Sequence, residues 1–355
     1  MMNKGKFICQ TSGLAVSANG IFRLLSIPVL FVCSCCCFAV INPASAQMPT
    51  KTIYFLSGIR DHASPTVGGR HEVAKDMLVL QHCIDSVANI KGVKIITKYL
   101  AERSALNIED LKGVDAVIVE CSSVTSSQRR THPIFPPLPA GARSYDKATS
   151  AYLNQIDSLQ AAGMGIMMLH WGITAEGNLP ATEHYLRWFG EAGHPNYTQN
   201  PLGYWIVTPI KAAAKHPILR GVKPWVYKDE IFSRLIVNPG DPYRTDLLMG
   251  ESPETNQSEV GSPKNVISPR CIASAYEKGK QRGILWGGMD FHSALLNENY
   301  LRFVLNEIVW VAGIDVPKGG VKTNAKQLQL APINKTYEKT KIPEGYIEPK
   351  LPNTK

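Results

Sequence analysis

Gly163-Met164-Gly165-Ile166-Met167-Met168-Leu169-His170-Trp171-Gly172 is the stretch on which the reading of the chain turns. Glycines open it, an unbroken apolar run follows, and it stops on a histidine, a tryptophan and another glycine. A short apolar run bounded by glycines fits a strand buried on both faces, as in the interior of a parallel sheet. Ligands of open α/β sheets gather beyond the carboxyl ends of such strands. The run therefore predicts His170 at a sheet edge, either facing a ligand or buried against a backbone carbonyl.

Upstream, Lys51 to Leu56, Val93 to Thr97 and Ala116 to Glu120 read as strands. Between the first two, Met77, Leu80, Cys83, Ile84 and Val87 recur at helical spacing and predict a helix with one buried stripe. A second helix over Lys147 to Ala162 leads into the opening stretch. This alternation predicts right-handed crossovers and a mainly parallel sheet. Downstream, Thr182 to Phe189 reads as a short helix, and Trp205 to Thr208, Thr245 to Met249, Arg270 to Tyr276 and Gln281 to Trp286 read as strands. Asp229 to Phe232 begins another extended segment, and Glu298 to Ala312 is an amphipathic helix with Tyr300, Leu301, Val304, Ile308 and Val309 as its stripe. Residues 122–146 lack periodicity and read as a lid or a solvated insertion, and Glu251 to Pro269 reads as a surface loop.

Residues 1–46 carry Lys4, Lys6 and Arg23, no acidic residue, an apolar run from Ile21 to Ile41, and an Ala44-Ser45-Ala46 end. That is the pattern of a secretory signal peptide cleaved after Ala46, with an uncleaved anchor as the rival. Domain 51–316 would follow, then an extended, weakly ordered tail over 317–355. Export would place the protein in the periplasm or outside the cell, with no membrane attachment once the signal is removed. The segment takes Cys9, Cys33, Cys35, Cys36 and Cys37, leaving Cys83, Cys121 and Cys271, too few for a disulfide framework. The formal net charge of +9 comes without an arginine-rich stretch, so a nucleic-acid partner is not expected. Neither a Gly-x-Gly-x-x-Gly after the first strand nor a phosphate loop is present, so no nucleotide cofactor is expected.

Chemistry-bearing residues fall at or just after predicted strand ends: His62, His71 with Glu72, Cys121, His170, Asp229 with Glu230, and Asp290 with His292. In an extended segment residues two apart face the same way, so Asp290 and His292 would converge. Histidines and carboxylates around a crevice serve as general acid and base, or hold a divalent metal such as zinc with an open position for water or substrate. His71, His170 and His292 are the candidate metal ligands. His170, Glu230 and Asp290 are the candidate catalytic groups. Trp171, Arg70 and Asp229 are candidate substrate contacts, with Trp171 either stacking on a ligand ring or filling the core. Cys121 has no base assigned by sequence and reads as an inert thiol.

Taken together, Gly69-Arg70-His71-Glu72, Gly165 to Gly172, His216 to Val222, Asp229 to Phe232, Gly287 to His292 and Val309 to Gly313 resemble the ThuA-like (trehalose-utilisation) family, especially its secreted members. The resemblance spans residues 51 to 316. It implies a flavodoxin-like, class I glutamine-amidotransferase-like three-layer α/β sandwich with a mainly parallel sheet in a single domain. It also implies carbohydrate use, often beside sugar dehydrogenases that make 3-keto sugars. The amidotransferase relatives carry a cysteine at the strand-to-helix elbow; His170 stands there, which argues against glutamine hydrolysis. Many relatives place Gly-His where this chain has Gly288-Met289-Asp290. The expected function is action on a sugar, glycoside or 3-keto sugar by hydrolysis, elimination or isomerisation. A 3-keto group acidifies the neighbouring C–H, so one placed base can begin an elimination. The alternatives are a non-catalytic carbohydrate-binding protein on the same fold, and an interaction module that docks through its tail.

Overall fold

In the computed structural model the described residues are 48–58, 70–86, 88–101, 105–121, 132–136, 138, 142–175, 178–194, 196–252 and 267–323. The expected signal segment, His62, Gly69, most of residues 122–146, residues 253–266 of the expected surface loop, and the chain beyond 323 lie outside them. In order, the elements are β1 (Thr50–Ser57), α1 (Val73–Ser86), β2 (Lys94–Leu100), the one-turn α2 (Ile108–Leu111), β3 (Ala116–Glu120), α3 (Lys147–Ala162) and β4 (Gly165–Leu169). They continue with α4 (Leu179–Phe189), the short β5 (Glu191–Ala192), β6 (Leu202–Pro209), β7 (Trp225–Glu230), the short β8 (Ile236–Val237), β9 (Arg244–Ser252), β10 (Ile267–Lys278), β11 (Gln281–Trp286) and α5 (Glu298–Val311).

The main sheet has nine strands in the order β2-β1-β3-β4-β11-β10-β9-β6-β7. Its first five strands pair in parallel. From β11 outward every pairing is antiparallel. The parallel expectation thus describes one half, where α1 and α3 serve as crossovers. In the other half, the two residues that join β10 to β11 leave room only for an antiparallel neighbour.

Alternation along the strands divides the apolar residues between two cores. Ala116, Ile118, Met167, Leu169, Ile284 and Trp286 face α1 and α5. Val117, Val119, Ile166, Met168 and Leu285 face α3 and α4. All five residues of β3 and of β4 are buried, which is why both read as unbroken apolar runs. Gly165 permits the close approach of α5, since a Cβ there would lie 2.0 Å from the carbonyl oxygen of Val311. Local chemistry fixes the helix ends as well. Asp146 accepts from the backbone N–H of Thr149 at 2.7 Å to start α3. Asn178 caps α4, which ends at Gly190 in the left-handed conformation.

Three expectations change. β7 ends at Glu230, so Asp229 and Glu230 close a strand rather than begin one. Helix α5 is buried almost all round, not only along its predicted stripe. Its outer face is covered because buried Asn306 holds the carbonyls of Ile218 (2.7 Å) and Arg220 (2.9 Å) and the backbone N–H of Val321 (2.8 Å). The first residues of the segment read as a tail are accordingly packed, with Val321 fully buried and the N–H of Lys322 bound to Asn89. Cys83, Cys121 and Cys271, the three cysteines among the described residues, are free thiols. Among the described residues no helix is long and apolar enough to cross a membrane.

Candidate functional site

The carboxyl ends of β4, β7 and β11 open on one edge of the sheet, and the segment before α1 returns to that edge. His170 follows β4 directly, with φ 49°. Arg70 and His71 precede α1, and the N–H of His71 donates to the carbonyl of Asp290 at 3.0 Å. Arg70 also forms an isolated antiparallel bridge with Phe291. Two long-range backbone links therefore pin the segment before α1 to the turn after β11.

That turn, Gly287 to His292, is built around Asp229. Both carboxylate oxygens of Asp229 accept backbone N–H groups: Met289 at 3.0 Å, Phe291 at 3.1 Å and Glu230 at 2.9 Å. Asp229 is fully buried. It is the organiser of the loop, not the substrate contact that the sequence suggested. Burial and the neighbouring Asp290 push its carboxyl well up, against the pull of the three N–H groups.

Three side chains converge. His71 Nε2 lies 3.0 Å and His170 Nε2 lies 3.8 Å from Asp290 Oδ1. One ligand atom from each of His71, His170 and Asp290 lies within 4.8 Å of the others, and all three residues are buried. The imidazole rings of His71 and His170 meet edge to face at 4.8 Å, and Phe232 closes the far side of His170 at 5.1 Å. His170 Nδ1 lies 3.4 Å from the carbonyl of Gly287. The tautomer that donates to that carbonyl leaves the Nε2 lone pair facing Asp290. Of the two roles open to His170, the carbonyl contact falls to Nδ1, which leaves Nε2 on the side of Asp290 for the other.

The donor set suits a divalent ion. Two imidazoles and a carboxylate are the ligands zinc and its neighbours prefer. The separations of 3.0 and 3.8 Å bracket about 3.3 Å, the edge of a tetrahedron drawn on metal–ligand bonds of about 2.0–2.1 Å. The third member of the group is Asp290, and His292 is not part of it. Its Nδ1 is hydrogen-bonded to Asp76 in the first turn of α1. Alternation fails between residues 290 and 292 because the stretch is not extended: Met289 has φ 89° and His292 starts a one-turn helix.

Arg70 Nε donates to Asp290 Oδ2 at 2.7 Å, and its Nη2 donates to Glu230 Oε2 at 2.9 Å. Its guanidinium also lies over the Phe291 ring, 5.4 Å from the centroid. These two hydrogen bonds serve the site's own carboxylates. Glu230 keeps its place at the rim with its other oxygen held by Asn200. Trp171 is half-buried, 6.4 Å from the His71 ring.

The carboxyls respond in opposite directions. Burial disfavours the charge on Asp290, but the His71 hydrogen bond with the charges of His170, His71 and Arg70 outweighs it and holds the group below the usual range. Burial, then the Asp290 charge, push Glu230 up. Such separation lets neighbouring carboxyls act as base and acid at one pH. Two buried acids beneath the site escaped the sequence reading. Asp76 is raised by burial against the opposing pull of His292. Glu120 is raised well above the usual range by burial and by the charges of Asp76, Asp229 and Asp290. Asp76 could have been found, because it shares the buried face of α1 with Leu80, Cys83 and Ile84.

No protein-family model matches the chain. No curated protein matches it either. Among solved structures it is similar to a ThuA-like protein from Bacteroides uniformis, at 12% identity over 77% of this chain and 96% of that one, with a TM-score of 0.47. It is also similar to a GMP synthase protein from Thermoplasma acidophilum, at 10% identity over 74% and 94%, with a TM-score of 0.36. A third likeness is to the carbohydrate deacetylase Agd3, at 11% identity over 74% of this chain but 32% of that one, with a TM-score of 0.42. At such identities no residue's role carries across.

Proposed function

We propose that this chain is a ThuA-like protein of carbohydrate utilisation that processes a sugar, glycoside or 3-keto sugar at the edge bearing His170. The supporting observation is the convergence of His71, His170 and Asp290 on one buried point. Both histidines adopt left-handed backbone, at φ 48° and 49°. Strain of about 1–3 kcal/mol per such residue persists where surrounding structure enforces it, and it gathers at functional sites.

In this reading His71, His170 and Asp290 hold a divalent ion such as zinc, which when bound supplies Lewis acidity to a sugar oxygen. Glu230, kept protonated more readily than an ordinary glutamate, donates or recovers the proton at the rim. Trp171 offers a ring face to the sugar. Glutamine hydrolysis is not proposed, because the elbow carries an imidazole and no thiol. We extend the proposal to a single domain of flavodoxin-like, class I amidotransferase-like three-layer architecture, which begins near residue 51 and takes in, past the expected end at 316, the packed residues up to 322. It further includes export with cleavage near Ala46, no nucleotide cofactor or nucleic-acid partner, and action in sequence with sugar dehydrogenases.

The test incubates the protein with disaccharides and their 3-keto forms, with and without zinc, manganese or magnesium, and identifies products by mass. A metal-dependent product that disappears in Asp290→Asn supports the reading. Sugar bound tightly but recovered unchanged would instead support the non-catalytic binding protein. Neither binding nor turnover across the panel would overturn both.

A further inference from the structure

Four described non-glycine residues have left-handed backbone: His71, His170, Met289 and Arg234. All lie in connections at the same edge of the sheet. The first two bear the converging imidazoles, and the third shapes the Asp290 turn. Arg234, at φ 58°, has no such duty. It is exposed, stands two residues after Phe232, and has no hydrogen-bond or carboxylate partner among the described residues.

A second arginine lies beside it. Gln199 and Ser233 exchange backbone hydrogen bonds at 2.7 and 2.9 Å. The side chain of Gln199 accepts from Arg270 Nη1 at 2.7 Å. Arg270 is thereby tied to the residue paired with the neighbour of Arg234, at the end of β10 that lies on the site's edge. Among the described residues it has no carboxylate partner, and burial followed by the charge of Arg234 lowers its pKa. Unneutralised like charges held side by side are unfavourable unless a counter-charge arrives.

The path to the site is short. Arg234, Ser233 and Phe232 line one side of a cavity of about 200 Å³, whose other side holds Glu191 and Asp246, both already paired with Arg244 at 3.0 and 2.6 Å, so that Arg234 is its unpaired charge. Phe232 also packs on His170, so one ring separates the two places. Asn200, adjacent to Gln199, holds Glu230. A ligand spanning both places would lay its ring at the histidines and a negative group against the two arginines.

We propose that Arg234 and Arg270 form an anion subsite, and that the sugar taken by the site carries a carboxylate or a sulfate. The inference rests on the carbohydrate reading above. Guanidinium groups suit both anions because their paired N–H donors match two oxygens.

Isothermal titration of the full chain at low salt would compare D-glucose, D-glucuronate, D-glucose 6-sulfate and inorganic sulfate. One or both acidic sugars should bind about tenfold tighter than glucose, the gain expected of one charge-assisted contact, and which one does so separates carboxylate from sulfate. Arg234→Asn, which tolerates left-handed backbone, and Arg270→Gln should each cut the preference to about twofold or less while leaving glucose binding unchanged. Glucose bound with no gain for either acid overturns the anion subsite alone. A preference that survives both substitutions does the same. Inorganic sulfate binding as tightly as the sulfate ester overturns the saccharide assignment. Failure of every sugar, glucose included, overturns the underlying carbohydrate reading with it.

Discussion

Replacing His170 by glycine and by alanine separates the backbone's contribution from the imidazole's. Either change removes the same ring, with its contacts to His71 and Phe232 and its approach to the Gly287 carbonyl. The variants then differ only in the Cβ and in unfolded-state freedom. A left-handed residue with a Cβ costs about 1–2 kcal/mol, which glycine recovers. Glycine loses about 0.5–1 kcal/mol more backbone entropy than alanine on folding. At φ 49° the balance favours glycine by about 0.5–1 kcal/mol, whereas at an ordinary strand end alanine would win by a similar margin. Urea denaturation followed by far-ultraviolet circular dichroism, analysed with a shared m-value, resolves a difference of that size. Alanine as stable as glycine, or more so, would refute the left-handed elbow. Both variants should lose zinc binding whatever their stability.

Asp290→Asn should weaken zinc binding by at least about a hundredfold, since losing a ligand outweighs the 10–100-fold lost with outer-shell partners; unchanged stoichiometry and affinity in titrations would remove Asp290 from the ligand set. His132 is buried, accepts the N–H groups of Ile134 and Phe135 on Nδ1, and is held down to about 3 by burial. Its unfolded form takes up a proton near pH 6.5 while the folded form resists. Stability should therefore fall by about 1.4 kcal/mol per pH unit from this group as pH drops from 6.5 towards 3. His132→Asn should flatten that slope, and an identical pH profile for the variant would count against the assignment. Glu307 is fully buried, with neither carboxylate oxygen bonded to a described residue, and burial drives its carboxyl well up. Glu307→Met should raise stability by about 1–3 kcal/mol, read as a higher melting temperature; a lower one would mean that the acid has a partner.

What could be read from the sequence follows the strength of local chemistry. The bounds of β3, α3 and β11 agree with their sequence patterns because burial on both faces, an Asp146 cap and a Gly279-Lys280 turn each mark an end within a few residues. His71, His170, Asp290 and Glu230 were visible as polar residues beside strand ends. Their pairing was not, because left-handed backbone at Met289 rotates Asp290 towards the histidines and sends His292 to Asp76. Asp229 has the profile of a site residue in sequence, yet its oxygens hold backbone N–H groups. Polar Asn306 and Glu307 suggest a solvated outer face for α5. It is covered by residues 217–220 and by the return of residues 314–323, both far from α5's own periodicity.

The position of β11 bears on how the molecule is made. It lies between β4 and β10, so among the described strands of the sheet an inner one is the last to be synthesised. Until Gln281–Trp286 has emerged, β4 presents an unpaired apolar edge, the kind of surface that invites association with other chains. Closing it joins residues more than a hundred positions apart, a slow step for a polypeptide. The same event carries Asp290 between His71 and His170. A nascent chain that stops short of this turn has both imidazoles but not the carboxylate that gathers them, so the centre and the completed sheet come into being together.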